Sequence, residues 1–72
     1  MQQYQFDVFG IPMLVKRRES QWLLFTKAQG LMAPVNDVVI PNEFTVGELP
    51  VFLADMYHEL ATSLHPDVTK IS

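Results

Sequence analysis

An α+β fold, an antiparallel β-meander of three to four strands packed on one C-terminal α-helix, is what this sequence of 72 residues predicts. Three observations carry that prediction. Apolar and polar residues alternate with period two from Tyr4 to Val8, two further strand-like runs are separated by turn residues, and a strong helix start at Thr45 precedes apolar residues at helical spacing.

The first strand has Tyr4, Phe6 and Val8 on one side and Gln5 and Asp7 on the other. Phe9 interrupts the alternation. Gly10-Ile11-Pro12 then supplies turn chemistry, because glycine reaches positive φ cheaply and proline ends one element before the next begins. Met13 to Glu19 reads as the second strand and Gln21 to Lys27 as the third, broken at Glu19-Ser20. With two-residue loops at Gly10-Ile11 and Glu19-Ser20, Phe6 lies opposite Val15, Val15 opposite Leu24, and Arg17 opposite Trp22. This register places Tyr4, Phe6, Val8, Met13, Val15, Trp22 and Leu24 on a core face. It places Gln5, Asp7, Phe9, Leu14, Lys16, Leu23 and Phe25 on the opposite one, and a slip of one residue would exchange the neighbours.

The whole chain, 1–72, reads as one domain: a meander over 4–27, a loop over 28–44 with a short edge strand at 37–41, a helix over 45–64 and a flexible tail over 65–72. Gly30 and Pro34 break the first part of the loop, and Pro41 suits the end of an edge strand because it cannot donate a ladder hydrogen bond. Thr45 with Glu48 three residues on forms a capping box, with Phe44 placed to staple onto Leu49. Pro50 removes a helical donor, so the first turn is distorted or the helix begins nearer Leu49. The stripe Leu49, Phe52, Leu53, Met56, Tyr57, Leu60, Ala61 and Leu64 faces the sheet, and Pro66 stops it.

Composition bounds the function. A chain this short buries only about 60% of its unfolded surface, so its core is modest. The absence of cysteine excludes disulfides, thiolate nucleophiles and thiolate metal sites. The first residues carry neither a basic region nor a long apolar run, which predicts a cytoplasmic protein with no membrane span. A net charge of −3 and a pI near 5.0 disfavour nucleic acid on average without excluding a local basic patch.

Candidate chemistry is sparse. Asp55, His58 and Glu59 share the polar side of the helix, with His65 seven residues beyond His58, whereas a zinc-binding His-Glu-x-x-His pair is spaced by four on one helical face. A solvated face with Asp55 and His58 in contact is the simpler reading. Ser20 and Ser63 lack a nearby histidine–carboxylate pair, and the three glycines are isolated, so neither a hydrolytic centre nor a phosphate loop is indicated. The expectation is a protein that is not an enzyme and has no catalytic, cofactor-binding or metal residues.

The basic run Lys16-Arg17-Arg18 beside Trp22 is split by strand alternation, with Arg17 over Trp22 and Lys16 and Arg18 on the other face. Phe9, Leu14, Leu23 and Phe25, flanked by Asp7, Lys16 and Lys27, form an apolar patch away from the helix. Monomers seldom leave such residues in water. Covering by the 28–36 loop or the tail, by a second subunit or another protein, or by an apolar ligand are the alternatives. The leading expectation is a homodimerising interaction module using Phe9, Leu14, Lys16, Leu23 and Phe25, and the alternative is a small nucleic-acid-binding regulator using Lys16, Arg18 and Lys27.

The segments Phe6-Asp7-Val8-Phe9-Gly10, Trp22, Asp37-Val38-Val39-Ile40-Pro41 and Asp55-Met56-Tyr57-His58-Glu59, running into Ala61-Thr62, resemble a family of small uncharacterised bacterial proteins. Its members open with a Phe-Asp-Ile/Val-Phe-Gly strand and end in an acidic amphipathic helix. Leu60 and Pro50 depart from that pattern, where the family has tryptophan and an ordinary helix former. The resemblance implies no activity; it implies a bacterial origin on a mobile gene cassette or phage.

Overall fold

The computed structural model describes residues 2–28 and 30–71. Strands β1 (Gln2–Val8), β2 (Ile11–Arg18), β3 (Gln21–Ala28) and β4 (Leu31–Pro34) form an antiparallel meander, and β5 (Val68–Lys70) joins the free side of β1. The five strands run in the order β4-β3-β2-β1-β5. Between β4 and β5 come a 3-10 turn at Val46–Glu48, helix α1 (Leu49–Tyr57) and a second 3-10 turn at His58–Leu60. The α+β meander packed on one helix is as the sequence predicts.

Both hairpin turns take positive φ at their two central residues, as the twist of adjacent strands demands of a two-residue loop. The values are 51° and 90° at Phe9 and Gly10, and 51° and 67° at Glu19 and Ser20. The second turn falls where the sequence places it, so Val15 pairs with Leu24 and Arg17 with Trp22. The first lies one residue earlier than Gly10-Ile11. Phe6 therefore pairs with Met13 and Tyr4 with Val15. Moving a loop by one residue moves the pairing by two, and a shift of two returns each side chain to its own face. The faces are thus unaffected, and Phe6, Val8, Met13, Val15, Trp22 and Leu24 are all buried on one side.

The cover of that side comes from two segments. Helix α1 packs against β1 and β5, with Leu49 and Leu53 wholly buried. Each such leucine contributes roughly 1.5–3 kcal/mol by leaving water. Over β2 and β3 lies the 35–44 segment: Ile40 is buried, Val35 and Val38 pack on the core, the Phe44 carbonyl accepts the Trp22 indole N–H at 2.9 Å, and the Asn42 carbonyl accepts from Arg17 at 2.8 Å. The Arg17 guanidinium lies 4.5 Å from the Trp22 ring, as the register predicts.

Three expected elements are corrected. Residues 37–41 form no strand; β4 forms at Leu31–Pro34 instead, because the Val38-Val39-Ile40 run is used to roof the core, with Ile40 inward and Val39 outward. The helix stops at Tyr57 and its 3-10 extension at Leu60, where Ala61 turns extended, so Leu64 is exposed. The tail contains a strand: Thr62 and His65 exchange hydrogen bonds of 3.1 and 3.2 Å, and β5 pairs with β1 up to an Ile71 N–H bond of 2.7 Å to Gln5.

The helix start resolves in favour of the later beginning at Leu49. The Glu48 carboxylate accepts the Thr45 N–H at 2.9 Å and its hydroxyl at 3.0 Å, closing the capping box on the 3-10 turn, and Pro50 sits in the first turn of α1 where its missing donor has no intrahelical acceptor. Phe44 meets Phe52 edge-on at 5.6 Å.

Candidate interaction face

One side of a strand alternates with the other, so the residues between the buried ones define a second face. Across it run two rows set by the pairing: Ile71, Gln5, Leu14, Phe25 and Pro34 in one, and Thr69, Asp7, Pro12, Lys27 and Met32 in the next. Lys16 and Leu23 pair beyond them. Helix α1 packs on the other face, and the 35–39 segment borders this one beside Leu23 and Phe25. Leu31–Pro34 and Val68–Lys70, from the loop and the tail that could have folded over it, instead extend the sheet in plane as β4 and β5. They enlarge the surface they might have covered, adding Met32 and Ile71, which are 43% and 59% exposed.

Four of the five residues expected to form the interaction surface meet here. Leu14, Lys16, Leu23 and Phe25 are half-buried neighbours on β2 and β3, and the Lys16 ammonium stands 5.1 Å from the centre of the Phe25 ring. That contact shields part of the ring and leaves the charge in water. Phe9 is a correction. As the first residue of the hairpin turn it leaves the alternation, and at φ 51° its side chain joins the core, 7% exposed. A bulky residue in the left-handed region is uncommon, and burial is what offsets it here.

An open groove of about 400 Å³ lies on this side of the sheet, lined by Leu14, Lys27, Met32 and Ile71 among others. Met32, Pro34 and Ile71 came from segments read as loop and tail, and nothing in their local pattern marks them as strand; their place is visible only through pairing.

Charge is segregated about the sheet. By strand alternation Lys16, Arg18 and Lys27 lie on the open face with Asp7, three cations against one carboxylate, a net of +2. The other two cations, Arg17 and Lys70, lie on the core side, where the covering segments carry Asp37, Glu43, Glu48, Asp55 and Glu59, a net of −3; Glu19 in the second hairpin turn and Asp67 ahead of β5 bring the chain to its −3. Arg17 is held on Trp22, and the Lys70 ammonium stands 5.5 Å from the Tyr4 ring on the core side.

The helix carboxylates do not assemble a centre. Asp55, His58 and Glu59 are exposed, and His58 Nδ1 lies 3.0 Å from the backbone carbonyl of Asp55 rather than from its carboxylate. His65 stands apart, with its ring over Gly10. Among the described residues no group of three or more potential ligands is placed to hold a metal ion. Tyr57 has its pKa raised above the ordinary 10.0, first by burial and then by the Asp37 carboxylate. Among the described residues no helix is long and apolar enough to cross a membrane.

Fold and surface together define a small sheet-and-helix domain with one roofed face and one open, apolar and basic face. Residues 3–72 match DUF7661, a domain of unknown function, and the chain belongs to that family. No curated protein and no solved structure matches it.

Proposed function

We propose that this chain is a non-enzymatic protein-interaction module that self-associates through the open face of its sheet. The observation that supports the reading is the strip of Leu14, Leu23 and Phe25, widened by the exposed Met32 and Ile71, on the face that the helix does not cover. Contiguous apolar surface of this kind is costly in water and is characteristic of surfaces that bind protein. Phe25 is the natural anchor, an aromatic at the centre of the strip. Size-exclusion chromatography with light scattering tests it. Association should rise with concentration, and Phe25→Asp should abolish it while leaving the far-ultraviolet circular dichroism unchanged. A strict monomer at millimolar concentration would refute the reading.

One observation favours a second reading. Three of the five basic residues share the open face, which suits contact with a phosphate backbone. Binding to nucleic acid would then weaken steeply with salt and be lost in Lys16→Glu; no binding at low salt disposes of it.

A further inference from the structure

We infer that self-association is head-to-tail, the outer side of α1 of one copy seating on the open sheet face of the next. This rests on the reading of the open face as an interaction surface, and adds which surface answers it. A two-fold pair would lay one open face on another, setting a net +2 against an equal +2, with Lys16, Arg18 and Lys27 of each copy brought together as apolar contact excludes water. Like charges forced together at an interface are a device against association rather than for it.

The complementary surface lies on the opposite side of the same molecule. Leu49 and Leu53 turn inward from α1, so Val51 and Asp55 look away from the sheet, and Glu59, in the 3-10 turn that follows, is exposed. Val51 is 64% exposed at the head of two exposed carboxylates. An apolar tooth beside two carboxylates is what an apolar strip bordered by Lys16 and Lys27 accepts, in the manner of a helix laid in a groove. Met56 and Leu60, 48% and 39% exposed, continue the inward stripe past the core and add apolar area beside that ridge.

Because the two surfaces sit on opposite sides of the sheet, docking one copy leaves both outer surfaces free on the pair. Such a contact is heterologous, and it propagates into rings or open chains rather than closing at two. Growth is therefore expected to pass beyond the dimer as concentration rises. It should recede as salt shortens the range of the attraction.

Three proteins decide the matter by light scattering: wild type, the sheet variant Phe25→Asp, and the helix variant Asp55→Lys/Glu59→Lys. Head-to-tail docking predicts that each variant alone is monomeric, and that an equal mixture regains assembly, since it again holds an intact helix side and an intact sheet side. If the helix variant alone remains a salt-insensitive dimer, the head-to-tail arrangement is overturned and self-association through the sheet stands. If wild type stays monomeric at every concentration, both are overturned. Circular dichroism monitors folding, and Lys16→Glu, a charge reversal beside Phe25, replaces Phe25→Asp should that variant fail to fold.

Discussion

Gly10→Ala perturbs the fold at a point where two constraints meet. Gly10 has φ +90°, and a Cβ built there would lie 2.8 Å from Cδ2 of His65 and 2.9 Å from its Cγ. The backbone part costs about 1–2 kcal/mol for any L-residue in the left-handed region. The smaller conformational freedom of alanine in the unfolded chain returns about 0.4–1 kcal/mol. The steric part falls on an exposed ring that can swing aside, but the ring ends the 61–65 segment that leads into β5, so moving it loosens that strand. A net loss of about 1–2 kcal/mol follows, or a melting temperature lower by roughly 5–15 °C for a domain this size. Urea denaturation of wild type, Gly10→Ala, His65→Ala and the double variant separates the two parts. With the ring gone only the backbone cost remains, so the cycle should show a coupling of at least about 0.5 kcal/mol. A Gly10→Ala protein as stable as wild type, or a coupling of zero, would refute the reasoning.

Other outcomes follow from the same geometry. Ser20→Gly relieves a left-handed φ of 67° and should raise the melting temperature by a few degrees, the relief of about 1–2 kcal/mol being partly offset by glycine's unfolded-state freedom; a lower melting temperature contradicts the turn assignment. Trp22→Phe keeps much of the ring but strands the Phe44 carbonyl, and should cost about 1–2 kcal/mol in chemical denaturation, with local amide-exchange protection lost over 40–46. Tyr57 should titrate above 10.0 in an ultraviolet pH titration, and Asp37→Asn should bring it partway back, burial being the larger cause. Since the folded state holds the Tyr57 proton more tightly than the unfolded chain does, this contribution to stability is fully present below pH 10 and is lost as pH rises through the folded value, a decline that Tyr57→Phe should lessen.

The parts of the fold legible in the sequence are those where local pattern and tertiary role agree. Period-two alternation gave the core face of β1 to β3, and Glu19-Ser20 gave the β2–β3 register. Thr45 and Glu48 marked the entry to the helix, with Pro50 pointing to the true start at Leu49. The first hairpin was misplaced because glycine draws attention as the residue that tolerates positive φ, whereas the turn needs two such positions and takes Phe9 as the other. That choice is made by burial: only from the turn does Phe9 reach the core. Strands β4 and β5 were illegible because pairing alone makes them. Leu31-Met32-Ala33-Pro34 is exposed throughout and Val68-Thr69-Lys70 is three residues long, so neither carries a periodic signal. Val38-Val39-Ile40 carries a strong strand propensity and was used otherwise, a case of tertiary context overriding preference. That Leu14, Lys16, Leu23 and Phe25 share one face was legible for the same reason the core was, since the two faces are the two phases of one alternation.

Why the open face exists follows from lengths. Nine residues of α-helix span about 13 Å, while five strands set about 4.8 Å apart span about 19 Å from β4 to β5. The helix cannot roof even one side alone, and the 35–44 segment completes it through Ile40, the Phe44 carbonyl and the Asn42 carbonyl. Helix α1, the 35–44 segment, β4 and β5 are then committed, either to the sheet or to its core side. A three-stranded meander would have left a smaller surface open, and the loop and tail free to cover it. By pairing as strands they add ladder hydrogen bonds and lose that freedom, and Leu14, Leu23 and Phe25 stay half-buried on the open face. Among the surfaces described here, the acidic outer side of α1 is the one whose charge opposes that of the open face, and it is present in equal number to the faces it would fill.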